Sequence, residues 1–235
     1  MRHAQVERWS LGDSVIHRRH AAAKILVTLV LLISIATLTG DALAACGLYL
    51  ALLLLGGVAS RLPVLSLLRA AAAVLPFALC FALVSALAGE PARAVMLIVR
   101  GYLSGLAAVL LIATTPMPDL IAGLDWLRAP AFVLQVMQFL YRYLIVLMGE
   151  AGAIRQASLA RAGSIRNLQF RQAAAAIAVL FARTWSRALV IHQAMVSRGF
   201  EGRIPVLRRK SFRLPDIGFA AGVALLIAGL RVALG

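Results

Sequence analysis

Acidic side chains are scarce in this chain: 9 Asp and Glu in 235 residues, against 24 Lys and Arg. The apolar parts offer only Asp41, Glu90 and Asp216, all at loop tips or helix starts. Enzymes that work on lipid head groups need clustered acids for base or metal chemistry, and no paired carboxylates are present. Lysine is scarcer still. Lys24 and Lys210 are the only two, and neither follows a glycine. A G-x-x-x-x-G-K-[ST] loop that would cradle phosphates is therefore missing, and nucleotide hydrolysis has to come from elsewhere. The two cysteines, Cys46 and Cys80, lie inside separate apolar runs without C-x-x-C spacing. There they act as small hydrophobes.

Charge of either sign is low, at 14% of residues, where a soluble domain carries about 25%. What replaces it is apolar: 62% of the chain, with a mean hydropathy of +0.91. A globule of this size cannot bury that excess, so lipid is the implied solvent. The first twenty residues hold Arg2, Glu7, Arg8, Asp13, Arg18 and Arg19, too polar for the core of a signal peptide. Five stretches approach the roughly 20 residues that cross a bilayer core: Ala21–Leu38, Ala42–Ala59, Ala70–Ala88, Ala94–Thr115 and Ile217–Leu234. Thr39-Gly40-Asp41, Ser60-Arg61-Leu62-Pro63 and Gly89-Glu90-Pro91 break the first four into tight hairpins. Pro76 is expected to kink the third stretch, its freed carbonyl met by neighbouring groups. Residues 131–148 are apolar but interrupted by Gln135, Gln138, Tyr141, Arg142 and Tyr143, which reads as an amphipathic helix packed on protein.

These stretches predict an all-α, polytopic membrane protein of about five transmembrane helices. Residues 1–20 form an N-terminal segment, 21–115 hold four spans, 116–213 a basic segment, and 214–235 the last span. Residues 1–24, 61–69 and 116–213 hold all the Lys and Arg except Arg93, Arg100 and Arg231. Four crossings followed by one put these three regions on a single side, which the positive-inside rule makes the cytoplasm. The N-terminus is then inside and the C-terminus outside the plasma (inner) membrane. The net charge of +15 is a topological signal and an attraction for anionic lipid heads rather than a nucleic-acid footprint, because no nucleic-acid-binding module accompanies it.

The segment 116–213 carries the most information. Thr114-Thr115-Pro116 starts a short helix with Leu120, Leu124 and Leu127 at helical spacing, closed by Asp125-Trp126-Leu127-Arg128-Ala129-Pro130. A long helix follows from 131 to about 162, and a second from about 170 to 198, with Ile177, Leu180, Phe181, Thr184, Ala188, Ile191 and Met195 as its apolar stripe. Both close alike: Ala160-Arg161-Ala162 before Gly163, and Ser197-Arg198-Gly199. An arginine near a helix C-terminus is favoured by the helix dipole alone. Two of them, each between small residues that admit another backbone, read instead as a docking device whose guanidinium forks onto carboxylate or carbonyl oxygens.

This pair of small-Arg-small motifs resembles the transmembrane T component of energy-coupling factor (ECF) transporters. The cobalt-type, CbiQ-like branch is the most similar. The likeness rests on Thr114-Thr115-Pro116, on 123–130, on Tyr141-Arg142-Tyr143-Leu144, on 183–188, and on Gln193 to Gly202, and covers nearly the whole chain. Arg19-His20-Ala21-Ala22 departs from the Leu-Asp-Pro-Arg run usual in that branch. The resemblance implies a subunit without ATPase activity, cofactor or metal site. It would join two ATP-binding-cassette subunits, two copies of one kind in cobalt-type systems, to a substrate-binding membrane S component. Arg161 and Arg198 would seat in grooves of the ATPases, and the S component would ligate the metal. Cobalt-ion uptake for cobalamin synthesis is the implied role; a nickel or vitamin importer, a self-sufficient permease and a membrane-embedded enzyme are the alternatives.

Single residues have plainer readings. His17 and His20 are spaced to share a helix face, but without a placed carboxylate or thiolate they read as solvated histidines rather than ligands. Arg100 is expected to snorkel to the interface. Glu150 and Glu201 are expected to pair with neighbouring arginines, and Arg208-Arg209-Lys210 to anchor the last span.

Overall fold

The computed structural model describes residues 9, 12, 14, 16–38, 43–161, 169–200, 202 and 214–234. Every regular element among them is helical. In chain order they are α1 (Ala21–Ala36), α2 (Leu43–Ala59), α3 (Val64–Ala71), a 3-10 turn (Ala72–Val74), α4 (Leu75–Leu87), α5 (Pro91–Thr114), α6 (Met117–Trp126), α7 (Ala131–Arg161), α8 (Gln169–Ser197) and α9 (Leu214–Leu234). They fall into two units, residues 1–127 with 208–235, and residues 128–207.

In the first unit α5 is the axis. It packs against α1, α2, α3 and α4, while α9 packs against α1 and α2. Leu31, Ile35, Tyr49, Leu53, Leu67, Leu103, Leu106 and Ile227 interlock between these helices and are buried. The outward faces stay apolar. Phe77 (70%), Leu83 (62%) and Leu87 (81%) on α4 are exposed, which water would not tolerate over so long a helix and acyl chains do.

Two of the hairpin ends follow the breaks read from the sequence; the third, Thr39-Gly40-Asp41, lies outside the described residues. After α2, Leu62 N–H donates to Gly57 O at 3.2 Å and Arg61 N–H to Val58 O at 2.9 Å, with Arg61 in the left-handed region at φ 55°. That is a Schellman stop in which arginine takes the place glycine normally holds. Pro63, which cannot continue the helix, follows directly. After α4 the same pattern recurs with Gly89 at φ 87° and Pro91 opening α5. The kink at Pro76 takes the form of the 3-10 turn Ala72–Val74, after which α4 restarts with Pro76 in its first turn. There the missing N–H costs nothing.

Four described stretches are long and apolar enough to cross a bilayer: Val64–Leu87, Pro91–Thr114, Ala131–Ala160 and Ala173–Ser197. Ala21–Ala36 and Ala44–Ala59 are shorter apolar helices. The chain is thus an all-helical polytopic membrane protein, with two differences from the sequence reading. The third span starts six residues earlier, at Val64, because Arg69 sits within an otherwise apolar helix. And α7 and α8, set apart in the sequence by their polar residues, also have the length and composition of spans. Residues 116–127 lie in the first unit, where α6 packs against α1. Gly123 makes that approach possible: a Cβ there would sit 2.9 Å from the Ala22 nitrogen.

Candidate functional site

The two arginine motifs close the two helices of the second unit. These helices meet along one face of each. Tyr143, Leu147, Glu150, Ile154 and Ser158 on α7 are half-buried, as are Leu180, Thr184, Arg187, Ile191 and Met195 on α8. The spacing of three and four residues is that of a single helix face. It overlaps the apolar stripe expected on α8, but Ile177, Phe181 and Ala188 from that stripe are exposed and Arg187 joins the packed face. Arg187 Nη2 donates to Glu150 Oε1, an ion pair that ties the helices together; Glu150 Oε2 is buried and has no hydrogen-bond partner among the described residues. Glu150 thus pairs as its sequence context suggests. Glu201 lies outside the described residues.

That ion pair fixes where the motifs lie. Arg161 is eleven residues beyond Glu150 on α7, and Arg198 eleven residues beyond Arg187 on α8. Each motif therefore stands about 16 Å from the ion pair, at 1.5 Å per residue. The eight peptide steps from Arg161 to Gln169 reach about 28 Å at most. With Glu150 beside Arg187, the helices must then run in broadly opposite directions, and the two helix ends diverge to roughly 30 Å apart. The structure does not bring the arginines together; it sets them at equal distances on either side of one ion pair.

Only one end is described in side-chain detail. Ala160 is exposed and Arg161 is the last residue of α7; the Arg161 side chain and Ala162 lie outside the described residues. At the other end Phe200 N–H donates to Met195 O and Gly199 N–H to Val196 O, both at 3.0 Å, with Gly199 at φ 78°. Ser197 Oγ donates back to Gln193 O at 3.0 Å. This is a complete Schellman stop with Arg198 as the capping residue. Arg198 is exposed, and no described residue pairs with its guanidinium. A cation is thus presented at the negative end of a helix dipole, with small neighbours on both sides, as a bidentate donor needs.

The histidines and Lys24 belong to a different arrangement, in the first unit. His17 Nε2 faces the Trp9 carbonyl at 2.9 Å, which only accepts, so that nitrogen carries the proton. Its Nδ1 then accepts from Ser14 Oγ at 2.7 Å. His20 Nδ1 accepts from Ala22 N–H at 3.2 Å as the cap of α1, and its ring meets Trp126 edge-on. Both are buried rather than solvated, a correction to the sequence reading. Lys24, 5% exposed, donates to Thr114 O at 2.7 Å, Thr115 Oγ1 at 3.2 Å and His17 O at 3.4 Å. Asp216 Oδ1 accepts from His20 N–H at 3.2 Å. Four elements, the N-terminal segment, α1, the α5–α6 elbow and the start of α9, are thereby pinned at one point. The sequence shows Lys24 only as one more basic residue. Its partners lie ninety positions away, and nothing in its neighbours signals them.

At the far end of α1, arginines do the corresponding work. Arg100 Nη2 donates to Leu38 O, and Arg231 donates to Thr37 Oγ1 and, at 3.2 Å, to Thr37 O. Arg231 thereby meets the C-cap carbonyl of α1, and Arg100 the carbonyl one residue further on. Arg100 thus reaches a protein oxygen just beyond the end of α1. Among the described residues no group of three or more His, Cys, Asp or Glu could hold a metal ion.

A profile of the family CbiQ, described as "Cobalt transport protein", matches residues 12–207. The chain is 32% identical over 126 residues to the cobalt transport protein CbiQ of Rhodobacter capsulatus, covering 53% of this chain and 52% of that one. It is 29% identical over 133 residues to an uncharacterized protein of Methanocaldococcus jannaschii, covering 55% and 48%. A Methanocorpusculum labreanum protein named as a fused cobalt transport protein, CbiMQ, is 32% identical over 108 residues, 45% of this chain and 18% of that one. The chain spans about half the length, or less, of the curated relatives it matches.

Proposed function

The chain belongs to the CbiQ family of cobalt transport proteins, and we propose that it is the T component of an ECF-type importer, coupling ATP hydrolysis by partner subunits to cobalt-ion uptake. In this reading two ATP-binding-cassette subunits dock on the cytoplasmic side, one on Ala160-Arg161-Ala162 and the other on Ser197-Arg198-Gly199. Their closure moves α7 and α8, and a substrate-binding S component in the membrane answers that motion. This chain itself is not an enzyme. The segments 1–20 and 116–213 face the cytoplasm, and the C-terminus lies outside.

The observation that carries the reading is the equal spacing of the two helix ends from the Glu150–Arg187 ion pair. Two equivalent ends about 30 Å apart suit two copies of one partner far better than a single small ligand. A second observation supports leaving the metal to another subunit. The groove between α1, α2, α5 and α9 is lined mostly by leucines and valines, with Thr28, Thr114 and the buried ammonium of Lys24. The lining offers a divalent cation no carboxylate and only the hydroxyls of Thr28 and Thr114, both already donating to backbone carbonyls, and a fixed ammonium repels it.

Capture of the ATPases tests the proposal. Detergent-purified wild-type chain is expected to retain ATP-binding-cassette subunits encoded in the same genome, and Arg161→Ala/Arg198→Ala to lose them while remaining monodisperse. Each charge-assisted contact contributes about 1.5–3 kcal/mol, so loss of both removes most of the binding. A wild-type chain that captures no ATPase would overturn the reading.

A further inference from the structure

The groove on the first unit has a volume of about 290 Å³, with Leu31, Leu52, Leu55, Leu111 and Val223 among its walls. Its polar neighbours are already engaged. Thr28 Oγ1 donates to Lys24 O at 2.9 Å and Thr114 Oγ1 to Leu110 O at 2.8 Å, while Lys24 directs its ammonium at three protein oxygens. A hydrated ion or polar solute would lose its water here and gain little in exchange. An aliphatic chain loses nothing.

One end of the groove is different. Phe219, a wall residue, carries the guanidinium carbon of Arg19 5.9 Å above its ring centre. Arg19 is half-buried, and among the described residues its guanidinium makes no hydrogen bond or ion pair. The cation–π contact fixes its position and leaves its N–H donors unused. A slot of aliphatic walls thus ends at a positioned fork of donors, unpaired among the described residues, that matches a phosphate. The volume is at the lower limit of small-molecule pockets, enough for one chain and too small for a whole lipid.

We propose that this groove holds one acyl chain of an anionic phospholipid, whose phosphate lies against Arg19. The lipid fills a cleft between four helices of the first unit, which distinguishes it from the lipid that wets the outer faces of α4. The assignment is independent of the coupling role.

Native mass spectrometry of the full-length chain tests it, after equilibration with equal amounts of phosphatidylglycerol and phosphatidylcholine bearing identical chains. Wild type is expected to keep one phosphatidylglycerol, preferred about fivefold, the effect of one cation beside an anionic head group. Arg19→Gln is expected to keep a lipid and lose the preference. Ala59→Phe, on the exposed wall of the groove, is expected to lose the retained lipid. Equal retention of the two lipids by wild type, an unchanged preference in Arg19→Gln, or undiminished lipid in Ala59→Phe would each overturn the proposal. Should Ala59→Phe fail to purify as a single species, the Arg19→Gln comparison decides alone. Loss of the lipid when the chain is assembled with its membrane partner would also overturn it, and would assign the groove to a protein side chain.

Discussion

The two units differ in what holds them. The first has interlocked side chains with exposures near zero, such as Ala22, Ile35, Leu67 and Leu106, and a buried joint at Lys24. In the second, Leu134 is the one buried hydrophobic residue among those described, and Trp185 (61%), Phe170 (87%) and Phe132 (75%) stand exposed. In lipid, helix association rests on close packing and interhelical hydrogen bonds, and the first unit has many more of both within itself than α7 and α8 have between them. The contrast is one of internal packing within each unit.

The largest effect on stability should come from the joint. Replacing Lys24 with methionine leaves Thr114 O, a C-terminal carbonyl of α5, without its donor in a buried place. A loss of about 2–3 kcal/mol is expected, read as a lowered melting temperature in detergent. If Lys24→Met melts like wild type, the joint is not what makes the first unit rigid. A smaller effect is expected at the second arginine motif. Gly199→Ala must put a Cβ at φ 78°, costing about 1 kcal/mol, and it frays the end of α8. Because that end presents Arg198, ATPase capture should fall further than the melting temperature does. The smallest effect belongs to the ion pair between α7 and α8. Arg187 and Glu150 side chains are 40% and 21% exposed, so Arg187→Met should cost under about 1 kcal/mol. A cost equal to that of Lys24→Met would erase the contrast between the units.

Much of the fold could be read from the sequence because its punctuation is unambiguous. Pro63, Gly89 and Pro91 end and start helices where the backbone demands it; the helix expected over 131–162 ends one residue earlier in α7, and the one expected over 170–198 is shifted by one residue at each end in α8. The stop at Gly199 was legible for the same reason, since glycine adopts positive φ without strain. Arg61 stands in a break that the sequence marks, but its left-handed backbone is not visible there, because a non-glycine residue gives no such signal. Long-range pairing was hidden as well. Lys24 looks like a topology residue until Thr114 and Thr115 are seen beside it. Likewise the arginine motifs can be found by their composition, while their symmetrical placement depends on Glu150 meeting Arg187 across two helices.

The central claim is that the two helix ends are equivalent and separate seats for one kind of partner. The mass of the nucleotide-free assembly, measured for the chain with its ATPase and for Arg161→Ala and Arg198→Ala singly, tests this directly. The account predicts two ATPase subunits on wild type and one on each single variant. A single variant that releases both subunits, or releases neither, would contradict it.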